Sequence, residues 1–404
     1  MIWTRVDKAL TEAVLPCSSE VANDFHRRKF VAPGMTLLVG QGGDILYHKA
    51  FGCRSIVPDV TALDKDMVYD VASLTKALVT TTLAMKFVEQ GRLTVDRKLS
   101  HVLQSFSSFG KERITVRHLL AHCSGFPAHI AFYKKIAQLS KKANAGDFTE
   151  SELLHSREAV EMVYRDIVRS KTDNLPGKVT VYSDVGFIIL GSVLEVIGGG
   201  VPFRKLAEQQ VFHPLRLMSS GFVDLALLKR GLIESKPEII VPTAKCPWRE
   251  KIILGEVHDD NAWVMGGAAG HAGLFTTARD IHHVANELMH CWKGKGRFVD
   301  REVVRMFWTK DSSVESSSWA LGWDTPSQYS SSGAGAVSSS GRFFSRHAIG
   351  HLGFTGCSIW IDPEREIDVI LLTNRIHPST DNESIKQFRP ALHDLVMETL
   401  GYNA

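Results

Sequence analysis

The chain has 404 residues, 44% hydrophobic and 23% charged, enough apolar material for one large domain or two lobes around a substantial core. Its 47 basic and 44 acidic residues give a formal charge of +3 and are dispersed along the sequence, so no basic footprint marks a nucleic-acid partner. No apolar run of about 18 residues is present to span a bilayer, and Met1-Ile2-Trp3-Thr4-Arg5-Val6-Asp7-Lys8 carries charges where a secretory signal has its apolar stretch, which predicts a cytoplasmic protein with no membrane partner.

In chain order, residues 1 to about 30 read as a helix with Val6, Leu10 and Val14 on one face, and residues 34–51 as a hairpin turning at Gln41-Gly42-Gly43-Asp44. A buried helix follows Ser73, with Ala77, Leu78, Leu83, Ala84, Phe87 and Val88 at helical spacing and Gly91 as its C-terminal stop. From about 96 to 264 the chain reads as mainly helical with long loops, and the polar residues 134–156 as a surface insertion. Within it, Val179 to Val181 is a short extended piece entering the helix of Ile188, Ile189, Leu190, Val193, Leu194, Val196 and Ile197. From about 265 the sheet resumes. Residues 327–341, almost all Ser, Gly and Ala, read as a mobile solvated loop. Ser358-Ile359-Trp360-Ile361 and Val369-Ile370-Leu371-Leu372 flank the turn Asp362-Pro363 as a second hairpin, and a helix over 385–400 closes the chain.

The six cysteines show no C-x-x-C pair and no zinc-finger spacing, so reduced structural thiols are the default. His258-Asp259-Asp260 with His271 is the one tempting metal cluster, but its spacing matches no metal motif. No cofactor or metal is expected.

Chemistry concentrates in three short stretches. Ser73-Leu74-Thr75-Lys76 stands at the start of the apolar helix, where residues three apart lie about 5–6 Å from each other at Cβ. The Lys76 amine therefore reaches the Ser73 oxygen, and a serine hydroxyl needs such a base at neutral pH. Ser108-Phe109-Gly110-Lys111 has the same pattern in a Ser/Phe/Gly-rich loop, where no helix holds the pair in register. Tyr182-Ser183-Asp184, just before a helix, offers a second proton shuttle. Gly350-His351-Leu352-Gly353-Phe354-Thr355-Gly356 precedes the second hairpin, and its glycines allow backbone to approach a ligand closely.

The ordered triplet S-x-x-K, Y-x-[ND], [KH]-x-G resembles the penicillin-recognising serine hydrolases, in particular the class C β-lactamase-like branch with its esterases, D-aminopeptidases and peptidases. Ile114-Thr115-Val116-Arg117-His118-Leu119-Leu120-Ala121-His122-Cys123-Ser124-Gly125-Phe126-Pro127 is similar to that branch's "ITVRHLLTHTSGLP" segment, and Leu93-Thr94-Val95-Asp96 to its "L-x-LDD" step. Residues 255–262, 270–275, 321–326 and 373–375 add a resemblance to the subgroup that includes exo-acting N-acetylmuramoyl-L-alanine amidases.

The resemblance implies an α/β (α+β) fold over residues 1–404, with a central antiparallel sheet flanked by helices. A sheet lobe of about 1–95 and 265–404 would hold an inserted, mainly helical lobe of about 96–264. It further implies that Ser73 is acylated, that Lys76 takes its proton, that Tyr182 moves protons to the leaving group and water, and that the N–H groups of Ser73 and Phe354 form an oxyanion hole. Asp184, His351, Gly353, Trp323 and Arg375 are the expected substrate contacts, with Arg375 a candidate for a peptide carboxylate. Two residues depart from the β-lactamase pattern. Asp184 replaces Asn and favours a charged Lys76, and His351 replaces a lysine suited to a substrate carboxylate. The expected activity is hydrolysis of a small-molecule cell-wall fragment at the N-acetylmuramoyl-L-alanine bond. The alternatives are a carboxylesterase, a weak β-lactamase or D-aminopeptidase, and a sensor or self-assembling pseudoenzyme.

Overall fold

The structure, a computed structural model, describes residues 2–18, 30–143, 153–327 and 338–403. Strands β1 (Gly34–Gln41) and β2 (Asp44–Ser55) form the first hairpin, with Gln41 opposite Asp44. Short strands β3 (Thr61–Ala62), β4 (Tyr69–Asp70), β5 (Gly221–Phe222), β6 (Lys245–Cys246), β7 (Lys251–Ile252) and β8 (Leu274–Thr276) follow. Then come β9 (Ile349–Leu352), β10 (Ser358–Asp362) and β11 (Ile367–Thr373). The main sheet has the order β3-β2-β1-β11-β10-β9 and is antiparallel throughout. Its centre is the β1–β11 pair, in register from Met35 opposite Thr373 to Gln41 opposite Ile367, so the sheet closes only when both ends of the chain have met.

Side-chain alternation along the strands separates two apolar layers. Met35, Leu37, Val39, Val369 and Leu371 pack against the helices Thr4–Ala13 and Ile385–Thr399. Leu38, Ile370, Leu372, Ile359 and Ile361 face the opposite way, into the larger core with Leu74, Ala77 and Leu78 after Ser73 and with the helix Ala278–Trp292. The second layer places Ser73 between the sheet and the helical part of the chain.

Several expectations need correction. The first helix ends at Ala13, because Pro16 biases the preceding residue to an extended conformation and Val14 instead bridges Ala32; residues 19–29 lie outside those described. The main sheet does not resume near 265. Leu274–Thr276 joins a separate three-stranded sheet, β4-β8-β5, and two helices, Ala278–Trp292 and Arg301–Trp308, intervene before Ile349. The polar stretch from 134 begins within the helix Phe132–Ala143, which turns Phe132 and Ile136 inward and Lys134, Lys135 and Lys141 to solvent, and ends at Ser156, which caps the helix Arg157–Arg169. Residues 144–152, and 328–337 of the Ser/Gly/Ala stretch, lie outside the described residues. No helix among those described is long and apolar enough to cross a membrane.

Candidate active site

The backbone at Ser73 is fixed by Asp70 at the end of β4. One Asp70 oxygen accepts from Ala72 N–H at 2.8 Å and the other from His258 N–H at 2.7 Å. Burial above all raises the Asp70 carboxyl, to about 6, although these two N–H groups oppose the shift. Ala72 has φ +47°, a left-handed conformation uncommon outside glycine and a mark of local strain at the entry to the Ser73 turn. The helix then opens with a π-helical stretch, Lys76–Thr81, before the α-helix Thr82–Glu89. Wide turns of this kind recur at functional sites.

Lys76 is completely buried and uses all three of its protons. Nζ lies 2.9 Å from Ser73 Oγ, 3.0 Å from the His271 carbonyl and 2.7 Å from Asp184 Oδ1. The strand-loop carrying His271 comes this close because Gly270 lies against the helix Asp184–Ile197, where a Cβ would stand 2.2 Å from the Phe187 carbonyl. Burial works to lower the Lys76 pKa, but the Asp184 carboxylate outweighs it and lifts it from 10.5 to about 12. For Asp184 burial pushes upward, and the Lys76 ammonium overcomes it to hold the carboxyl well below the usual carboxylate range.

Tyr182 and Asp184 are presented by a helix N-terminus. Ser183 Oγ caps it by accepting from Gly186 N–H at 3.2 Å, and Ser183 N–H donates to His122 Nδ1 at 3.1 Å. Tyr182 is 36% exposed, yet its hydroxyl reaches both Ser73 and Lys76, and its ring lies 5.0 Å from Nζ. Burial raises its pKa and the neighbouring ammonium opposes that rise. Asp184 Oδ2 faces the half-exposed His129 Nδ1 at 3.6 Å.

The third stretch arrives on β9, with His351 opposite Ile359 of β10. Gly353 is needed for close approach, since a Cβ there would stand 2.5 Å from the Val71 carbonyl. Phe354 is thereby set beside the Ser73 turn. Neither the Ser73 N–H nor the Phe354 N–H meets an acceptor among the described residues. Arg375 anchors Phe354 by donating to its carbonyl from Nε at 3.1 Å and Nη2 at 2.7 Å. His258 stacks on the Phe354 ring at 5.7 Å. His351 Nδ1 donates to the Leu352 carbonyl at 2.9 Å, and burial, reinforced by the Lys76 charge, lowers the imidazole pKa to about 3.

Ser73, Lys76, Tyr182, Asp184, His351, Gly353 and Phe354 therefore converge. Two expected substrate contacts do not. Trp323 is fully buried and packs edge-on against Trp308 at 6.2 Å, so it belongs to the core; the aromatic at the site is Trp319, 5.5 Å from Tyr182 and 5.6 Å from His351. Arg375 is committed to backbone, its Nη1 reaching the Thr380 and Asn382 carbonyls, and it has no free fork for a peptide carboxylate. His122, His129 and Trp319 carried no separate signal, although His122 lies in the Ile114-to-Pro127 segment. His271 and Asp259 pair with each other at 2.9 Å behind Lys76, and no cluster of three or more metal-type ligands occurs among the described residues. In the second tetrapeptide Ser108 is exposed, while Lys111 Nζ turns away to the Val168 and Ser170 carbonyls.

A profile of the beta-lactamase family matches residues 26–390, a span that contains every converging group. The chain belongs to the beta-lactamase family. Among relatives of this family member, an Escherichia coli (strain K12) protein named provisionally as a D-alanyl-D-alanine carboxypeptidase is 28% identical over 366 residues, covering 85% of this chain and 79% of the relative. The solved structure of EstCE1, described as a hydrolase with promiscuous acyltransferase activity, superposes with a TM-score of 0.68 at 17% identity, covering 98% of each chain. A class C beta-lactamase from Rhodobacter sphaeroides gives 0.63 at 16% identity, over 98% of this chain and 99% of its own. The fold is β-lactamase/transpeptidase-like, and the protein is a serine hydrolase of that family.

Proposed function

We propose that Ser73 attacks an amide or ester carbonyl and is transiently acylated, with Lys76 and Tyr182 as its proton-transfer partners. The observation that carries this is the buried Lys76 Nζ 2.9 Å from Ser73 Oγ, within the reach a base needs. Lys76 rests as an ammonium, so it must yield a proton before it takes that of Ser73. Asp184 Oδ1, at 2.7 Å, holds it in that charged form, so the proton leaves to solvent in the fraction of molecules that is competent to react. Tyr182 then hands a proton to the leaving group, and the unpartnered N–H groups of Ser73 and Phe354 receive the carbonyl oxygen as its charge develops.

For the substrate we favour an amide of a cell-wall fragment, first the N-acetylmuramoyl-L-alanine bond, hydrolysed in the cytoplasm. The resemblance of residues 255–262, 270–275 and 373–375 to amidases of that type supports it, as does a relative bearing a D-alanyl-D-alanine carboxypeptidase name. A neutral His351 where the β-lactamase pattern has lysine weighs against a substrate that must be held by a terminal carboxylate. Ester hydrolysis is the second reading, favoured by the apolar rim of Trp319, Tyr182 and Phe354. Mass spectrometry of a muropeptide digest separates the two. Free peptide with an L-alanine N-terminus supports the amidase; intact muropeptides alongside rapid cleavage of short acyl p-nitrophenyl esters would replace it with the esterase.

A further inference from the structure

His351 carries an unused hydrogen-bonding atom whose polarity the structure fixes. Its Nδ1 donates to the Leu352 carbonyl at 2.9 Å; a carbonyl can only accept, so in the neutral ring the proton resides on Nδ1 and Nε2 is left with a lone pair. The side chain is buried, 1% exposed, and Nε2 has no partner among the described residues. Leaving a buried acceptor unsatisfied is unfavourable, which makes its persistence beside the candidate nucleophile informative.

No neighbouring donor meets His351 Nε2 among the described residues. Lys76 gives its three protons to Ser73 Oγ, the His271 carbonyl and Asp184. The Tyr182 hydroxyl, on the ring 6.0 Å from that of His351, lies toward Ser73 and Lys76. His122, which shares Tyr182 and Trp319 as neighbours, accepts at Nδ1 from Ser183 N–H, so its proton is on Nε2, an atom that also has no partner among the described residues. The His351 lone pair is therefore open to a donor on a molecule that enters the site. The buried Lys76 ammonium repels a second cation there, and a carboxylate has no proton to give.

We propose that His351 Nε2 accepts a hydrogen bond from an uncharged amide N–H of the substrate, making it a specificity-determining residue that selects neutral amide-bearing substrates over carboxylate-bearing ones. This rests on the acyl-serine reading of Ser73 and adds the chemical class that the position recognises.

The test is protection of Ser73 from a fluorophosphonate by three matched ligands: isobutyramide, its N,N-dimethylamide, which lacks any N–H donor, and isobutyrate, which carries a carboxylate. In the native protein the primary amide should protect at roughly tenfold lower concentration than either of the others, the effect of one good hydrogen bond to a buried group. His351→Phe should erase that preference, His351→Gln should retain part of it through its amide oxygen, and His351→Lys should favour the carboxylate. A purely structural role would weaken all three ligands together. Equal protection by all three ligands in the native protein, or a preference unchanged in His351→Phe as when water fills the position, overturns the proposal. Failure of the native Ser73 to label at all overturns the acyl-serine reading beneath it.

Discussion

Replacing Asp184 by Asn removes the charge that holds Lys76 as an ammonium and leaves its shape nearly intact. The lysine is buried, and its pKa stands at about 12 instead of 10.5, a preference for the charged form of about 2 kcal/mol, or roughly thirtyfold in proton affinity. Without the carboxylate, burial opposes the charge with only Tyr182 still favouring it, and the lysine pKa falls. The alkaline-side change in kcat/KM should therefore move down by on the order of 1.5 pH units, and the neutral lysine available at pH 7 should rise roughly thirtyfold. Stability follows the same linkage. Asp184, depressed in the folded state, stabilises above its unfolded pKa near 3.9 and loses that contribution as pH falls; Lys76, raised, stabilises below about 10.4 and loses its contribution as pH rises through about 12. Asp184→Asn should thus cost stability across the neutral range, by up to about 3–5 kcal/mol if Lys76 stays charged and less if it sheds its proton. Urea titrations at pH 7 and 9, with pH–rate profiles on an acyl ester, supply the readout. An Asn variant that folds and labels at Ser73 while its profile coincides with that of the native protein would refute the coupling of Asp184 to a lysine base.

Tyr182→Phe should lower kcat by about 10²–10⁴, the usual loss of a positioned proton donor, with folding unchanged by circular dichroism. Arg375→Met should reduce kcat by roughly tenfold or more at nearly constant KM, because the Phe354 carbonyl loses its charged donors and the oxyanion N–H beside it loses its fixed position; a rise in KM alone would restore Arg375 as a substrate contact. Trp323→Ala should cost about 3–5 kcal/mol in urea unfolding, as a fully buried ring leaves a cavity, while KM stays the same. His282 Nδ1 lies 2.9 Å from the buried Asp368 under the sheet. Burial opposes the charge on His282 but Asp368 raises its pKa, and burial raises that of Asp368. Both shifts give stability that is present below the unfolded values and lost as pH rises through the folded ones, so the His282→Gln/Asp368→Asn double variant should show a flatter fall in stability between pH 6 and 8 than the native protein.

Patterns governed by local spacing were legible in the sequence. The Gln41-to-Asp44 turn, the helix after Ser73 with its Gly91 stop, the hairpin around Asp362 and the terminal helix all follow from periodicity and turn residues acting within a few positions. The three stretches at the site were visible for the same reason. What sequence spacing does not carry is the partner supplied by a distant segment. The His271 carbonyl meets Lys76 because a glycine lets one loop cross a helix, and Asp70 clamps Ala72 to His258 across almost the whole helical part of the chain. Trp319 and Trp323 are four residues apart in similar surroundings, and only the packing against Trp308 decides which one is core. Arg375 misled because a guanidinium near a pocket suits a substrate carboxylate and backbone carbonyls equally well.

The central claim is that Ser73 is the residue acylated. Treatment with a fluorophosphonate, followed by intact-mass measurement and peptide mapping, tests it most directly. One adduct on Ser73, retained in Ser108→Ala and absent together with all hydrolysis in a folded Ser73→Ala protein, is the predicted result. An adduct on Ser108 or elsewhere, or substantial turnover by the Ser73→Ala protein, would contradict it.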